Sequence, residues 1–245
     1  MSAGTSLVET NGLGISFGGV HAVNGVDFKL ADGELRCLIG PNGAGKSTFF
    51  KLLTGQYRPT RGSITIRGHA IDGMESYEIA RLGVGIKTQV PSVFNGLTVE
   101  ENIWLSARRI GTRTEAKDVV AHILDMTRLQ SLARSTVGTL SHGQRQWVEL
   151  GLVIATRPAL VLLDEPAAGM SDGEVERTAE LIKDINRQCA LIVVEHDMAF
   201  IRMIAKTVTV FNRGSVLVED TVGRVLADER VRDVYLGKEL EVRQA

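Results

Sequence analysis

A glycine-rich segment near the N-terminus has the residue types that bind phosphate. Residues 40–48 read Gly-Pro-Asn-Gly-Ala-Gly-Lys-Ser-Thr and fit the pattern G-x-x-x-x-G-K-[ST]. An apolar run at 35–39 precedes them, and a helix-permissive run at 49–53 follows. Glycines let successive backbone N–H groups point at phosphate oxygens, and the N-terminus of the next helix adds partial positive charge. The segment predicts a site for a nucleoside triphosphate rather than a plain strand-to-helix turn.

The residues of this phosphate loop (residues 40–48) have different expected tasks. We expect Lys46 to reach the β and γ phosphates as a point charge. We expect the hydroxyl of Ser47 to hold Mg²⁺, a cation that prefers oxygen ligands. The remaining predicted phosphate contacts are Asn42, Gly43, Ala44, Gly45 and Thr48.

Two carboxylates follow the apolar run Leu160–Leu163. Ligands of open α/β sheets bind where strands end, so Asp164 is expected to hold the metal and Glu165 to polarise a water in line with the γ phosphate. An acidic cap on a helix that begins at Pro166 is the structural alternative.

Two further polar segments point to the same chemistry. His196 follows the apolar run 191–194 and is expected to sense the γ phosphate, although a lone histidine is more often a satisfied surface or core residue. Ser141 is a candidate N-cap for a helix that starts after it, which makes a second anion site, or simply a capped helix. A helical stretch separates Ser141 from the phosphate loop, so a second chain is the simplest way to bring both sites to one nucleotide.

Composition limits the class of protein. The chain has 245 residues, 44% of them hydrophobic, and a net charge of −1, so it has a sizeable core and no general basic surface for nucleic acid. Two cysteines are too few for a disulfide framework and favour a reducing cytosol. No apolar run approaches the roughly 18 residues of a membrane span, and the N-terminus lacks the features of a signal peptide.

The pattern of apolar residues predicts an α/β fold. Short strand-like runs occupy 7–17, 26–30, 34–39 and 63–67, and later apolar runs at 160–163, 191–194 and 208–211 alternate with helix-length segments. Between 98 and 137 the periodicity is helical, which predicts a helical insert packed as a subdomain.

Taken together, the motifs resemble those of the ATP-binding subunits of ABC transporters, over nearly the whole chain. Six motifs follow the order of that family: the phosphate loop at 40–48, a glutamine at 89, the signature at 140–144, the strand with its acidic pair at 160–165, the D-loop at 168–171 and a histidine at 196.

The resemblance implies further features. The fold would be an ABC-type ATPase in one domain, residues 1–245, with a mixed central sheet, an N-terminal antiparallel β subdomain and a helical subdomain at about 92–157. It implies ATP and Mg²⁺ as ligands. It also implies that Phe17 stacks on adenine, with Val23 beside it; the alternative is that Phe17 simply packs against neighbouring side chains. It also implies Gln89 as a contact to Mg²⁺ and the attacking water. In the signature, Ser141 and Gly143 would contact the γ phosphate across a dimer, together with His142 and Gln144.

Two positions depart from the family pattern. His142 stands where the signature usually has glycine, and Ser171 stands where the D-loop usually has aspartate. Because of these two departures, the sequence does not show how tightly two nucleotide sites would be coupled. Residues 165–170, 141–147 and the tail 231–237 are similar to the importers of branched-chain amino acids, urea and related small solutes, although an amphipathic helix explains the tail equally well.

The resemblance also implies partners. It predicts a second ATP-binding cassette, identical or related, two membrane permeases, indirectly an extracytoplasmic solute-binding protein, and no nucleic acid, at the cytoplasmic face of the inner membrane. The apolar residues 90–94 are the expected docking surface for a permease helix, or else pack within the subdomain. The alternative is an ABC-type ATPase that acts on nucleic acid or ribosomes without a permease. The sequence does not identify the transported solute.

Overall fold

Two β-sheets form the framework of the computed structural model, which describes residues 6–88 and 92–234. In chain order the strands are β1 (Ser6–Phe17), β2 (Val20–Ala31), β3 (Leu35–Ile39), β4 (Arg61–Ile66), β5 (His69–Ala70), β6 (Val84–Lys87), β7 (Leu160–Asp164), β8 (Ala190–Val194), β9 (Thr207–Asn212) and β10 (Ser215–Thr221). The sequence predicted seven of these strands, and it did not predict β5, β6 and β10.

The helices lie between and after these strands. They are α1 (Lys46–Leu53), α2 (Ser76–Arg81), α3 (Val99–Ala107), α4 (Arg113–Thr127), α5 (His142–Ile154), α6 (Asp172–Asn186), α7 (Met198–Ile204) and α8 (Val222–Ala227). Two short 3-10 helices, Gln130–Leu132 and Val137–Thr139, connect α4 to α5. No strand is found between residues 98 and 137 of the described chain, in agreement with the helical periodicity there.

The larger sheet places the ends of five strands at one edge. Its strand order is β10-β9-β3-β8-β7-β6, and all neighbours are parallel except β10, which runs antiparallel to β9. The sheet is therefore mixed, as expected. Because parallel strands end on the same side, the segments after β3, β6, β7 and β8 meet at its carboxyl edge.

Both faces of this central sheet are buried. One face packs on α1 and on the smaller antiparallel sheet, whose order is β2-β1-β4-β5. The other face packs on the helices α3 to α7. Leu162 and Ile192 point to the first face, whereas Leu163 and Val193 point to the second. Strands covered on both sides need apolar residues at every position, which explains the continuous runs in β7 and β8.

The turn after β7 is not the start of a helix. The next helix, α6, begins at Asp172 and is capped by Ser171, so the alternative of a helix starting at Pro166 is wrong. Residues 165–169 form a turn instead, and Glu165 within it has a positive φ of 46°.

The two cysteines are buried free thiols. Cys37 lies in β3, and Cys189 directly precedes β8. Burial raises the pKa of both thiols, that of Cys189 to about 11. Neither contributes to a disulfide, as the sequence predicted.

Within 6–88 and 92–234, none of the helices has the length and hydropathy needed to cross a membrane.

Trp147 connects α5 to α6 and so fixes the helix that carries the signature residues. Its side chain is buried, its Nε1 donates to Thr178 Oγ1 at 2.9 Å, and the guanidinium of Arg177 lies 3.8 Å from the ring centroid. The same Thr178 hydroxyl donates to the carbonyl oxygen of Glu174. One indole thereby supplies apolar burial, a hydrogen bond and a cation–π contact between two helices.

Trp147→Ala is expected to lower the free energy of unfolding by about 3–5 kcal/mol, because it leaves a large cavity between α5 and α6. Trp147→Phe keeps most of the volume and loses the hydrogen bond, so a loss of about 1–3 kcal/mol is expected. Urea titration followed by circular dichroism measures both values. Trp104→Ala, at a half-buried position, is the matched control and is expected to cost less than Trp147→Ala. A loss below about 1 kcal/mol for Trp147→Ala would contradict this role.

Candidate functional site

Three glycines shape the phosphate loop between β3 and α1. Gly40, Gly43 and Gly45 have φ angles of 146°, 77° and 106°, which side chains other than glycine rarely adopt. A Cβ atom at Gly40 would overlap the carbonyl oxygen of Phe211, and one at Gly45 would overlap that of Ala22. The loop therefore packs with bare backbone against β9 and β2, which fixes its curved path.

Lys46 is the first residue of α1, and its ammonium group lies against the loop. Its Nζ donates to the carbonyl oxygens of Gly40 at 2.6 Å and Pro41 at 3.1 Å. Gly45 caps the helix without a side-chain hydrogen bond, and no acidic residue stands in the first turn. The backbone N–H groups at this helix end and a lysine charge thus lie together, in an arrangement suited to phosphate.

The other loop residues differ in exposure. Ala44 is buried, its carbonyl oxygen accepts from Gly214 N at 2.9 Å, and its own N donates to the carbonyl oxygen of Pro41 at 3.1 Å, so its backbone helps to hold the curve of the loop. Asn42, Gly43 and Ser47 are exposed, and Thr48 is half-buried.

Phe17 and Val23 occupy different environments. Phe17 ends β1, is 46% exposed and makes an edge contact with Tyr57, with ring centroids 5.2 Å apart. Val23 is buried in the core beneath the antiparallel sheet and pairs with Ile15. Phe17 is thus the member of this pair with an accessible aromatic face.

The acidic pair lies at the carboxyl edge of the central sheet, beside the phosphate loop. Burial, followed by the charge of Glu165, raises the pKa of Asp164. The charges of Lys87, Lys46 and Lys51 oppose that rise. Because β3, which leads into the phosphate loop and α1, and β7 both pair with β8 in parallel, the end of β7 and the phosphate loop lie at the same edge of the sheet.

Glu165 contacts the histidine that follows β8. Its backbone N donates to Val194 O at 3.0 Å, and its Oε1 lies 3.2 Å from His196 Nδ1. The positive φ of Glu165 is uncommon for a residue with a side chain, and such backbone is concentrated at functional sites. The histidine side chain is 63% exposed, so this carboxylate–imidazole pair faces solvent.

Glu195 is a residue of this site to which the sequence analysis gave no role. It is 2% exposed, and its carboxylate accepts from His196 N at 3.1 Å and from Ala167 N at 3.5 Å. Burial raises the pKa of Glu195, and the backbone N–H groups oppose that rise. The carboxylate joins the turn after β8 to the turn after β7. Its signal in the sequence is the same as that of Asp164, an acidic residue directly after a buried strand.

A buried ion pair joins the end of β6 to α5. Lys87 ends β6, and its Nζ is 3.8 Å from Glu149 Oε2 of α5, with side chains 2% and 5% exposed. Burial lowers the pKa of Lys87 and raises that of Glu149. Nothing in the sequence signals this pairing, because the partners are far apart along the chain. Gln89 itself lies outside the described residues, as do residues 90, 91 and 235–237.

Ser141 is the N-cap of α5, which confirms the sequence prediction. Its Oγ accepts from Gln144 N at 3.2 Å, and its own N donates to Gln144 Oε1 at 3.0 Å. This reciprocal capping box defines the helix start. Of the four signature residues predicted to contact phosphate, Ser141 and His142 are exposed, Gln144 is half-buried and Gly143 is buried.

His142 holds the start of α5 against the D-loop of the same chain. Its Nε2 donates to the carbonyl oxygen of Ala168 at 3.0 Å. Its ring also lies beside Gly169, where a Cβ atom would be 3.5 Å from Nε2. A glycine at position 142 has no side chain to make this link.

The predicted residues thus form two groups. Lys46, Asp164, Glu165 and His196 lie at the carboxyl edge of the central sheet, where Glu165 contacts His196. Ser141, His142 and Gly143 lie instead at the start of α5, next to the D-loop.

Comparison with known proteins gives a family for this arrangement. A family model described as ABC transporter matches residues 23–168. The branched-chain amino acid transport ATP-binding protein BraF of Pseudomonas aeruginosa is 34% identical over 250 residues, with 95% of this chain and 98% of that protein covered. LivG of Escherichia coli K12, described in the same terms, is 34% identical over 252 residues with the same coverage.

Solved structures show the same fold. The ADP conformation of MJ1267, an ATP-binding cassette of an ABC transporter, superposes with a TM-score of 0.84 at 25% identity and covers 95% of this chain and 99% of that one. A dimeric cassette, MJ0796 bound to ADP and phosphate, superposes at 0.76 and 23% identity over 88% of this chain and 98% of that one, and it supports the fold alone. The chain belongs to the ABC transporter family, as one of its ATP-binding cassettes that hydrolyse ATP.

Proposed function

We propose that this chain drives the import of a branched-chain amino acid, urea or a similar small solute by hydrolysing ATP. The main support for ATP hydrolysis is that Lys46, Asp164, Glu165 and His196 lie at one edge of the central sheet. The kind of solute is supported by the identity to BraF and LivG over nearly the whole chain, since both are branched-chain amino acid transport proteins.

In this proposal ATP binds along the phosphate loop. Lys46 leaves its contacts with Gly40 and Pro41 in part and pairs with the β and γ phosphates. The N–H groups of residues 42–48 hold the phosphate oxygens, and adenine stacks on the exposed ring of Phe17, beside Val23.

The proposed metal ligands suit Mg²⁺. The hydroxyl of Ser47, the carboxylate of Asp164 and the amide of Gln89 are all hard oxygen ligands. Ser47 is exposed at the start of α1, and Asp164 interacts electrostatically with Lys46. Mg²⁺ held by these residues would offset part of the phosphate charge.

Glu165 is the proposed catalytic residue. Its carboxylate accepts a hydrogen bond from a water that attacks the γ phosphorus, takes the proton of that water, and ADP leaves. His196, 3.2 Å from Glu165, donates to the γ phosphate, and Gln89 orients the water. Glu195 positions His196 through the backbone of its turn.

A second cassette completes each nucleotide site in this proposal. The start of α5, with Ser141, His142, Gly143 and Gln144, is a second anion site, and it contacts the γ phosphate held by the partner's phosphate loop. ATP then holds two cassettes together, and loss of the γ phosphate lets them separate. The partner is a second copy of this chain or a related cassette.

The described segment between Ser92 and Arg157 contains α3 to α5, and we propose it as a helical subdomain of a single domain, residues 1–245.

Phe94 is 60% exposed, although its backbone is fixed by buried Asn102, whose Oδ1 accepts from Phe94 N at 2.8 Å. An exposed aromatic ring on backbone that is held by hydrogen bonds to Asn102 suits docking of a permease helix. Two permeases, supplied by an extracytoplasmic solute-binding protein, would place the cassettes at the cytoplasmic face of the inner membrane.

Glu165→Gln is expected to lower the rate of phosphate release by at least about 100-fold, because the amide is a poor general base. ATP binding is expected to persist, and the variant is expected to form an ATP-dependent dimer detectable by light scattering. Glu176→Gln, an exposed position on α6, makes the same charge change and is expected to retain full activity. Hydrolysis by Glu165→Gln at the wild-type rate would contradict the catalytic role.

Lys46→Ala is expected to weaken ATP binding by roughly 10-fold or more, the effect of removing a charged hydrogen-bond donor. Isothermal titration calorimetry measures the affinity, and a thermal melt shows whether the loop remains folded. Lys183→Ala removes the same charge from α6 and serves as the control. Equal affinities for Lys46→Ala and wild type would overturn the phosphate site.

Phe94→Asp is expected to abolish solute transport while the isolated chain still hydrolyses ATP, because the exposed ring contributes little to the cassette itself. Transport and phosphate release are measured together in vesicles that contain the permeases. Met203→Asp, at an exposed apolar position on α7, is the control. Normal transport by Phe94→Asp would place the docking surface elsewhere.

A further inference from the structure

One carboxylate is shared by the starts of α5 and α6. Glu174 is the third residue of α6, and its Oε2 accepts from Ser171 N at 3.0 Å and from Ser171 Oγ at 2.9 Å. Its other oxygen, Oε1, is 3.5 Å from Ser141 Oγ, at the N-cap of α5. The side chain thus completes the capping box of its own helix and extends to the helix that carries the signature residues.

The carboxylate of Glu174 lies directly on Gly143. A Cβ atom at Gly143 would overlap both Oε1 and Cδ of Glu174, so this position leaves room for the carboxylate only because residue 143 is glycine. The contact between His142 and Ala168 holds the two segments together nearby. The two contacts of Oε2 with Ser171 do not require Oε1 to remain at α5.

Glu174 carries its negative charge across the neutral pH range. The N–H and hydroxyl of Ser171 are the main groups that lower its pKa, and Ser141 and the charge of His142 add to the effect. A negative charge at a helix N-terminus is favourable. The start of α5 in the single chain therefore already has an anion beside it.

The proposed function assigns the same atoms to a second anion. Ser141 and Gly143 are the groups that would contact the γ phosphate held by a second chain, and the present inference rests on that assignment. A phosphate at this helix start and the carboxylate of Glu174 would repel each other, and both would use the hydroxyl of Ser141. The closed dimer must therefore displace Oε1 of Glu174 or tolerate its charge.

We propose that Glu174 is an internal competitor of the nucleotide, which weakens the ATP-bound dimer of two copies of this chain. Its carboxylate lies at the start of α5 when the chain is single, moves away when the γ phosphate of the partner's ATP enters, and returns when that phosphate is lost. The residue thus favours separation of the cassettes after hydrolysis. It takes no part in the chemical step.

The test compares two chains that bind ATP without hydrolysing it. Glu165→Gln is the parent, and light scattering gives the ATP concentration at which half of it is dimeric. Adding Glu174→Gln is expected to lower that concentration about 3- to 10-fold, because glutamine still caps α6 and the competing charge is gone. Adding Glu176→Gln, the same charge change two residues further along α6, is expected to leave it unchanged.

A second variant at position 174 tests the position of the charge with a smaller change of side chain. Glu174→Asp keeps the charge and draws the carboxylate back by one methylene, so its midpoint is expected between those of the parent and Glu174→Gln. Thermal melts establish that each chain is folded.

The same measurements separate a failure of dimer formation from a failure of the role proposed for Glu174. If the Glu165→Gln parent stays monomeric at saturating ATP, the pairing of two copies fails, and this inference fails with it. If the parent dimerises and Glu174→Gln leaves the midpoint unchanged or raises it, only the role of Glu174 is overturned. An equal effect of Glu176→Gln would show that net charge, rather than the position of the carboxylate, is responsible.

Discussion

The close approach of bare backbone at Gly40 is the constraint on which the site depends. Gly40 lies against the carbonyl oxygen of Phe211, and Gly45 lies against that of Ala22, with no room for a side-chain carbon at either place. The carbonyl of Ala44 is tied in turn to Gly214, in the turn between β9 and β10. The phosphate loop is thus fixed by the edge of one sheet and by a strand of the other, and the direction in which its N–H groups point follows from that packing.

The central sheet then brings the charged groups to this loop. Parallel pairing of β3, β8, β7 and β6 gathers their ends at one edge, where Asp164, Glu165, Glu195 and His196 meet within two neighbouring turns. Burial makes these carboxylates sensitive to their surroundings, since it raises the pKa of Asp164 and Glu195 alike. A cation that binds at this edge would favour the charged form of these carboxylates and so oppose the effect of burial.

Local sequence predicted the parts of the fold and site whose signal is itself local. The phosphate loop, the cap at Ser141 and the strands β3, β7, β8 and β9 all have patterns that a few neighbouring residues define. Strand β6 escaped prediction because Gly85 and Lys87 interrupt its apolar pattern. A glycine stands at position 85 because a Cβ atom there would overlap the side chain of Val153 on α5. Strand β10 lies at the sheet edge and is half-exposed for much of its length, so its pattern is mixed. The contact of Glu174 with Ser141 joins residues 33 positions apart, and only the packing of α6 on α5 reveals it.

The burial of both cysteines has a practical consequence. Thiols react with alkylating reagents and oxidants as thiolates, and burial raises the pKa of Cys37 and Cys189 well above neutral pH. The two native cysteines are therefore expected to react little with the reagents used for site-specific labelling. A single cysteine introduced on the exposed surface would carry a spin label or fluorophore with little competition from the native thiols. The separation of two such labels, one on each cassette, would report directly how far and how fast the pair opens.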